Sequence, residues 1–386
     1  MIAGLLDGLF NGISIGAVLL ISALGLAIVF GLMGVINLAH GELMMLGAYT
    51  TFVVQNICKM LGGSLYEAYI FFALILAFLV TAGVGFVLER GVIRYLYGRP
   101  LETLLATWGV SLILQQFVRS VNWVLVIGIT LFCLLFFGAM WVISRRGDFQ
   151  RIRNWVMAVI LPLSFGIAVA TGAFLGQTYK LAVTQPWFGA QNVDVTAPKW
   201  LRDGLRIGGL QMPYTRLFII GLTIACLIGI YVFLQRSSWG LRIRAVTQNR
   251  SMSACLGIPT QKVDALTFAL GSGLAGVAGC AISLLGSVGP NTGQNYIVDT
   301  FMVVVVGGVG KLVGTIVAAI AIGTANYLIG SGTLALLLTP VKPLADFFGF
   351  FATTSMAKVM VFALIIAFLQ VKPGGMFPQK GRTVDA

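Results

Sequence analysis

Charged residues are scarce in this chain. Only 10% of its 386 residues are Asp, Glu, Lys or Arg, whereas 58% are hydrophobic and the mean hydropathy is +0.97. Soluble domains carry roughly 25% charged residues and about half apolar ones, so this composition excludes an ordinary soluble protein. Uncharged runs such as 8–41, 68–88 and 265–298 recur along the chain. Each has the roughly 20 apolar residues that a helix needs to cross a ~30 Å hydrocarbon layer.

Histidine is also nearly absent, and the cysteines do not follow a metal-binding or disulfide pattern. The chain has one histidine, His40, and five scattered cysteines without C-x-x-C spacing, which argues against a disulfide framework, a zinc site or an H-E-x-x-H metalloenzyme. The stretch "GGVGKLVG" (307–314) has the wrong spacing for a P-loop and no Ser or Thr after Lys311. We therefore expect no enzyme activity, no ATP hydrolysis by this chain, no metal and no cofactor.

The apolar runs predict an all-α, polytopic helical membrane protein. We expect about 8–11 membrane segments, including broken or short ones, within a single transmembrane domain that covers 1–386. The first basic residue is Lys59, so the first run lacks the positive start of a cleaved signal peptide and should remain as a span. The predicted spans are 9–33, 38–57, 67–88, 103–119, 121–143, 156–178, 216–235, 264–286, 297–310, 312–331 and 347–371.

The net charge of +13 is concentrated between these spans. Clusters of basic residues follow the third, fifth and seventh spans, and a fourth lies at the C-terminus. Cytoplasmic loops of membrane proteins are enriched in Lys and Arg, so we place all four clusters in the cytoplasm. The N-terminus is then outside and the C-terminus is in the cytoplasm. Residues 236–262 are then a cytoplasmic loop, and 181–215 is an extracytoplasmic loop in spite of its own basic residues. The charges are explained by topology, and no nucleic-acid partner is predicted.

Two membrane segments are interrupted, one in each half of the chain. "GLMGVINLAHGELMMLG" (31–47) has four glycines and several polar groups, and "GPNTGQNYIVDTFMVVVVGGVGKLVG" (289–314) has an apolar core too short for one straight span. Paired, interrupted segments of this kind are typical of a transporter's path, because irregular backbone in a membrane must line protein or water. The candidate path residues are Asn37, His40, Glu42, Gln294, Asn295, Tyr296 and Asp299.

Each of these residues also has a structural interpretation. Asn37 and His40 could fix the packing of a neighbouring helix through hydrogen bonds, and Glu42 could be an interfacial charge at a helix start. Asp299 could lie near the outer surface. The small residues of "GSGLAGVAGCA" (271–281) indicate close helix packing.

Several stretches, in the correct order, resemble one known family. "NGISIGAVLLISALGLAIVFGLMGVINLAHGELMMLGAY", "RSSWGLRIRAVTQNRSMSACLGI", "VDALTFALGSGLAGVAG", "VVVVGGVGKLVGTIVAA" and "KPGGMF" resemble permeases of bacterial ATP-binding cassette importers for branched-chain amino acids. Within that family, "RAVTQNR", "GQNYIVDTFMVVVVGGVG" and "LGAYTTFVVQN" are most similar to the urea-importer permease. The resemblance covers 1–119 and 214–382, and the middle of the chain matches more loosely.

The resemblance implies a plasma-membrane permease that works in a complex. A second, related permease would complete the pore, and an extracytoplasmic binding protein would deliver the substrate. Two cytoplasmic ATPase subunits would dock on the coupling loops of the two permeases; in this chain that loop is 236–262. The family's usual Glu-Ala-Ala before the loop glycine is replaced here by Ser251, Met252 and Ser253, whereas the glycine, Gly257, is kept. The candidate coupling residues are Arg242, Arg244, Gln248, Asn249, Arg250 and Gly257.

The substrate implied by the resemblance is urea, with branched-chain amino acids or short-chain amides as the alternative. Urea needs several hydrogen-bond acceptors and a flat slot, because unpaired polar groups in a dry site cost about 1–3 kcal/mol each. The interrupted segments offer acceptors but few cations, which favours a neutral solute. A stand-alone channel or ion-coupled transporter would need a relay of buried charges that this sequence lacks.

Overall fold

The computed structural model describes residues 2–144, 149–178, 185–189, 191–207, 210–339 and 342–377. Within these ranges a two-stranded antiparallel hairpin pairs β1 (Gly204–Ile207) with β2 (Leu210–Pro213), and one 3₁₀ turn covers Ile93–Leu96. The remaining elements are helices: α1 (Ile2–Met33), α2 (His40–Leu61), α3 (Ser64–Gly91), α4 (Pro100–Ser120), α5 (Trp123–Ser144), α6 (Phe149–Thr178), α7 (Lys199–Arg202), α8 (Tyr214–Arg236), α9 (Ser238–Gln248), α10 (Arg250–Cys255), α11 (Thr260–Ser283), α12 (Thr292–Gly307), α13 (Leu312–Gly330), α14 (Thr333–Leu337), α15 (Lys342–Phe350) and α16 (Thr354–Val371).

The predicted fold class is confirmed. Seven helices in the described ranges are long and apolar enough to span a membrane, and there are up to eight if α15 and α16 form one bent span. The predicted span 347–371 is therefore interrupted, at residues 351–353, where the chain bends by more than 40°. Helix α12 has 16 residues, or about 24 Å at ~1.5 Å per residue, which is shorter than a bilayer core, as predicted.

The chain divides into two compact units. The larger unit covers 1–112 and 193–386 and the smaller covers 113–192. In the larger unit α1 is central, with 83% of its most apolar stretch buried, and it packs against α8, α11, α12 and α13. In the smaller unit α5 packs on α6, and the Trp187 ring lies 4.8 Å from the Trp123 ring.

Backbones approach closely where helices of the larger unit cross at glycines. A Cβ atom added to Gly25 would lie 2.5 Å from the carbonyl oxygen of Gly271, and one added to Gly276 would lie 2.5 Å from that of Ala77. Any side chain at these positions would force the helices apart. The small-residue run 271–281 is thus a packing surface, as predicted, and it brings α11 against both α1 and α3.

Within the larger unit, residues of the two long polar loops contact opposite ends of α3. The carbonyl oxygen of Thr196, in the predicted extracytoplasmic loop 181–215, accepts hydrogen bonds from Gln55 Nε2 (2.7 Å) and the Tyr69 hydroxyl (2.9 Å) near the start of α3. Arg250, in the predicted cytoplasmic loop 236–262, lies beside Tyr97, just beyond the end of α3. That the two loops face opposite sides of the membrane, and which side is cytoplasmic, stay predictions.

Replacing Gly279 by Val should destabilise the protein. Its added Cβ would overlap the carbonyl oxygen of Met44 on α2, and overpacking of this kind costs about 1–3 kcal/mol. Thermal unfolding of the purified protein in detergent measures the loss. Gly229→Val is the matched control, because nothing lies within 4 Å of its added Cβ. Equal unfolding midpoints for the two variants would contradict the packing described above.

Candidate functional site

The first interrupted segment turns between α1 and α2. Helix α1 ends at Met33, and the chain then passes through Gly34 at φ +68° before α2 begins at His40. Asn37 is 2% exposed, and its side-chain oxygen accepts a hydrogen bond from the Ala39 amide at 3.1 Å. Thr107 on α4 accepts a further bond from the Leu38 amide at 3.2 Å. Asn37 therefore supports the turn that starts α2, a role within its own segment that differs from the contact with a neighbouring helix considered from the sequence.

His40 is fully buried and ties α2 to α1. Its Nε2 lies 3.0 Å from the carbonyl oxygen of Ser22, a bond in which the imidazole nitrogen must donate. The Ser22 hydroxyl in turn bonds the Thr300 hydroxyl on α12 at 2.9 Å. His40 thus lies where three membrane helices meet and makes the contact of a packing residue. A direct part in transport stays a prediction.

Glu42 marks the contact between the two interrupted segments. It is 1% exposed, and Ser111 on α4 donates a hydrogen bond to its Oε1 at 3.1 Å. A Cβ added to Gly293, near the start of α12, would lie 2.6 Å from the Gly41 carbonyl oxygen and 2.8 Å from Glu42 Oε2. At the other break, a Cβ on Gly31 would lie 2.5 Å from Gly310 Cα. Segments that are far apart in sequence therefore meet at both of their irregular stretches.

The four candidates on α12 separate into two environments. Gln294 and Asn295 are exposed, whereas Tyr296 is half-buried and Asp299 is buried. The Asp299 carboxylate forms an ion pair with Lys358 on α16, at 3.0 Å. Sequence reasoning missed Lys358; the available signal was a lone lysine at the fifth position of a largely apolar helix.

The predicted coupling loop contains two short helices, α9 and α10. Arg242 is exposed and lies 4.9 Å from the Trp239 ring, and Arg244 donates to Gln235 at 2.8 Å. Gln248 is exposed at the end of α9. Asn249 starts α10, where its side-chain oxygen accepts from the Met252 amide at 3.0 Å. Gly257 follows α10 at φ +81°, a conformation that favours glycine.

Arg250 belongs to a polar cluster at the end of α3. It forms an ion pair with the buried Asp264 on α11 and lies 4.8 Å from the Tyr97 ring. The Tyr97 hydroxyl donates to Glu89 at 3.4 Å, and Arg94 lies 3.6 Å from that carboxylate. Burial, together with the Asp264 and Glu89 carboxylates, raises the pKa of Tyr97, so its hydroxyl stays protonated and can donate. The cluster connects the coupling loop to α3 and α11 within one chain.

No group of three or more His, Cys, Asp or Glu side chains in the described ranges is placed to hold a metal ion. The buried carboxylates are instead bonded to a serine, a tyrosine, an arginine or a lysine. The contacts described above are packing contacts and polar bonds between membrane helices. Comparison with known proteins shows the family to which the chain belongs.

The family model described as the permease component of branched-chain amino acid transport systems matches residues 8–369, and the chain belongs to this family. The high-affinity branched-chain amino acid transport system permease protein BraD of Pseudomonas aeruginosa is 25% identical over 323 residues, which are 83% of this chain and 85% of that protein. The corresponding protein LivH of Escherichia coli is 23% identical over 373 residues, or 96% and 94% of the two chains. The ribose import permease protein RbsC of Bacillus subtilis is 31% identical over 104 residues, 25% of this chain and 32% of that protein. No solved structure matches the chain significantly.

Replacing Arg250 by Gln should lower the stability of the protein. The change removes the cation beside a buried carboxylate, and because the Arg250 side chain is 47% exposed we expect a loss of about 1–2 kcal/mol rather than the ~3–5 kcal/mol of a fully buried pair. Thermal unfolding in detergent measures the effect. Arg99→Gln removes an exposed pair with Glu102 and should change little. An unfolding midpoint for Arg250→Gln as high as that of the control would show that the Arg250–Asp264 pair adds no stability.

Proposed function

We propose that this chain forms, with a second and related permease subunit, the translocation path of an ATP-driven importer in the bacterial plasma membrane. The observation that carries the proposal is the contact of the two interrupted segments, in which Gly293 lies against Gly41 beside the buried Glu42. Irregular backbone and an ionisable group at membrane depth are typical of a transporter's path. Family membership supports the same role.

The coupling loop 236–262 is the proposed docking surface for one ATPase subunit. A second ATPase subunit docks on the coupling loop of the partner permease, and the two ATPase subunits carry out the ATP hydrolysis. Three large apolar side chains of α9 and the α10 segment, Leu241, Met252 and Leu256, are each more than half exposed. Arg242 adds an exposed cation to this surface. Exposed apolar groups rimmed by charge are typical of a protein interface. An extracytoplasmic binding protein completes the proposed complex.

Urea is the substrate that the sequence motifs favour. Glu42, Gln294, Asn295 and Asp299 together supply oxygen acceptors for its N–H groups, and the amides of Gln294 and Asn295 also supply donors for its carbonyl oxygen. Tyr296 is half-buried beside them on α12 and offers an aromatic face. The exposed amides of Gln294 and Asn295 are accessible to a solute or to a partner subunit.

Branched-chain amino acids are the second candidate, with short-chain amides as a further variant of it. A specific observation favours the amino acids. Lys358 lies 3.0 Å from Asp299, so the second interrupted segment adjoins both a cation and an anion, as the two ends of an amino acid require. BraD and LivH are named for the transport of these substrates, and their similarity extends over most of this chain.

Uptake of labelled urea and labelled leucine by cells with and without this chain separates the candidates. Both solutes are offered at micromolar concentration, at which passive entry of urea is small. Loss of urea uptake alone supports the urea importer, and loss of leucine uptake supports the amino-acid importer. Unchanged uptake of both would contradict both substrate assignments.

Gly257→Arg should abolish uptake while the protein remains in the membrane. The substitution places a bulky cation on the proposed docking surface, at a backbone conformation that disfavours side chains. Uptake and an immunoblot of the membrane fraction are measured together. Gly257→Asn is the control, because asparagine tolerates positive φ better than other residues. Normal uptake by Gly257→Arg would overturn the coupling assignment.

A further inference from the structure

A cavity of about 360 Å³ lies between α1, α12, α13 and α16, near one end of the spanning helices. It reaches Gly330, the last residue of α13. It also reaches Lys358, which lies only about 6 Å beyond the start of α16 at ~1.5 Å per residue. The ends of spanning helices lie near the level of lipid headgroups. The cavity is therefore at a depth at which a headgroup can enter it from the side.

Helix α15 supports this depth. It is bent by 108° from α16, so it runs roughly across the direction of that helix. Its Phe347 and Phe350 rings are exposed, and Lys342 adds an exposed charge at its start. Short helices that combine exposed aromatic and basic side chains are typical of the membrane interface. Because only residues 351–353 separate α15 from α16, Lys358 lies just below the plane of that interface.

The polar wall of the cavity carries one cation and one anion. Asp299 is 4% exposed, and its carboxylate accepts a hydrogen bond from the Lys358 ammonium at 3.0 Å. The ammonium also donates to the carbonyl oxygen of Asn295 at 3.5 Å. An ammonium has three N–H donors, and the Lys358 side chain is 41% exposed, so a third donor is available to a ligand.

Neutral groups complete the lining of the cavity. The Tyr327 hydroxyl accepts from Asn11 Nδ2 at 3.0 Å, so its own hydrogen can donate to a ligand. Asn326 adds an amide with both donors and an acceptor. The opposite wall is apolar and comes from Ile15 and Leu19 on α1. The cavity thus places hydrogen-bond donors around an ion pair, beside an apolar wall.

We propose that this cavity binds the headgroup of phosphatidylethanolamine from the surrounding leaflet. The lipid phosphate accepts hydrogen bonds from the Lys358 ammonium and the Tyr327 hydroxyl, and the lipid ammonium donates to the Asp299 carboxylate. The acyl chains lie on the apolar surface of α16, where Met356 and Val359 are exposed on either side of Lys358.

The ion pair is the feature that selects this lipid. A free cation would favour anionic phosphatidylglycerol, whereas the Lys358–Asp299 pair offers one charge of each sign. Phosphatidylcholine carries the same two charges, but its quaternary ammonium has no N–H to donate to Asp299. The lipid is a component of the membrane, so the inference goes beyond the proposed importer function. A bound headgroup would leave the pair unavailable to an amino acid, and leucine is therefore included in the test.

Native mass spectrometry of the purified full chain measures the lipid preference. The protein in detergent is mixed with equal, non-saturating amounts of phosphatidylethanolamine, phosphatidylglycerol and phosphatidylcholine, and the lipid retained per chain is counted. Retained phosphatidylethanolamine should exceed each of the others about tenfold, because one hydrogen bond to a charged group changes affinity by about that factor or more. Equal retention of the three lipids, or a preference for either of the other two, would overturn the assignment.

Variants of the ion pair change the preference in different directions. Lys358→Met should lower retention of phosphatidylethanolamine about tenfold, and Asp299→Asn should shift the preference to phosphatidylglycerol, because it leaves a free cation. Lys358→Arg keeps a phosphate-binding cation and should retain the preference. Lys199→Met is the matched control, since Lys199 lies 3.9 Å from the Glu67 carboxylate but is 81% exposed and does not line the cavity. An unchanged preference in Lys358→Met would contradict the site.

A chain with the ion pair intact locates the bound lipid, so this test does not depend on the folding of the charge variants. Ser331 is exposed and lines the cavity, and Ser331→Cys adds a thiol there. Phosphatidylethanolamine at about ten times its dissociation constant should slow maleimide labelling of this thiol about tenfold, because only about a tenth of the sites remain empty. Cys255, which is exposed and outside the cavity, is the internal control, and peptide mass spectrometry separates the two positions.

Three labelling results would overturn the assignment. They are unchanged labelling at both positions, equal slowing at both positions, and slowing of the new thiol by leucine but not by the lipid. The last result would assign the cavity to an amino acid. Neither measurement uses uptake, so a failure of the lipid site leaves the importer proposal standing, and a failure of the uptake experiment leaves the lipid site standing.

Discussion

The contact of helix backbones at glycines is the constraint on which the rest of the structure depends. Helices in a membrane gain little from burying apolar side chains against each other, so close packing and polar bonds must hold them together. Here α11 lies against α1 at Gly271 and Gly25, and against α3 at Gly276. A Cβ atom at Gly25 would also lie 3.0 Å from His40 Cε1, so the missing side chain leaves room for the His40 ring against α1. There His40 Nε2 donates to the Ser22 carbonyl oxygen, and the Ser22 hydroxyl bonds the Thr300 hydroxyl.

The same contacts determine what the interrupted segments can do. Gly41 and Gly293 let the start of α2 touch the start of α12, and this brings Glu42 beside a second irregular segment. Asn37 supports the turn through a bond to the Ala39 amide, so part of this polar segment is structural. Asp299, by contrast, is turned toward Lys358 and a cavity. One pair of broken segments therefore carries both a packed, buried carboxylate and one that adjoins an open space.

Much of the fold could be predicted from the sequence, because the length of each charge-free run matches the number of helical residues needed to cross a bilayer. The two interrupted segments were also recognisable, from glycine and polar residues in otherwise apolar runs. The pairing of Asp299 with Lys358 was not, since the residues are on separate helices and a lysine near the start of a helix has the pattern of an interfacial charge. Arg250 was predicted as a docking residue, and no pattern pointed to its ion pair with Asp264. The break at 351–353 was missed because "FAT" contains neither glycine nor proline.

The glycine contacts also have a consequence for how the protein is made. Gly25 meets Gly271, so about 250 residues must be synthesised before the contact can form, which takes roughly 10–50 seconds at ~5–20 residues per second. During that time α1 lacks α11, and it also lacks α12 and α13, which lie still later in the chain and pack on it. The packing of the larger unit can therefore be completed only after most of the chain has been made.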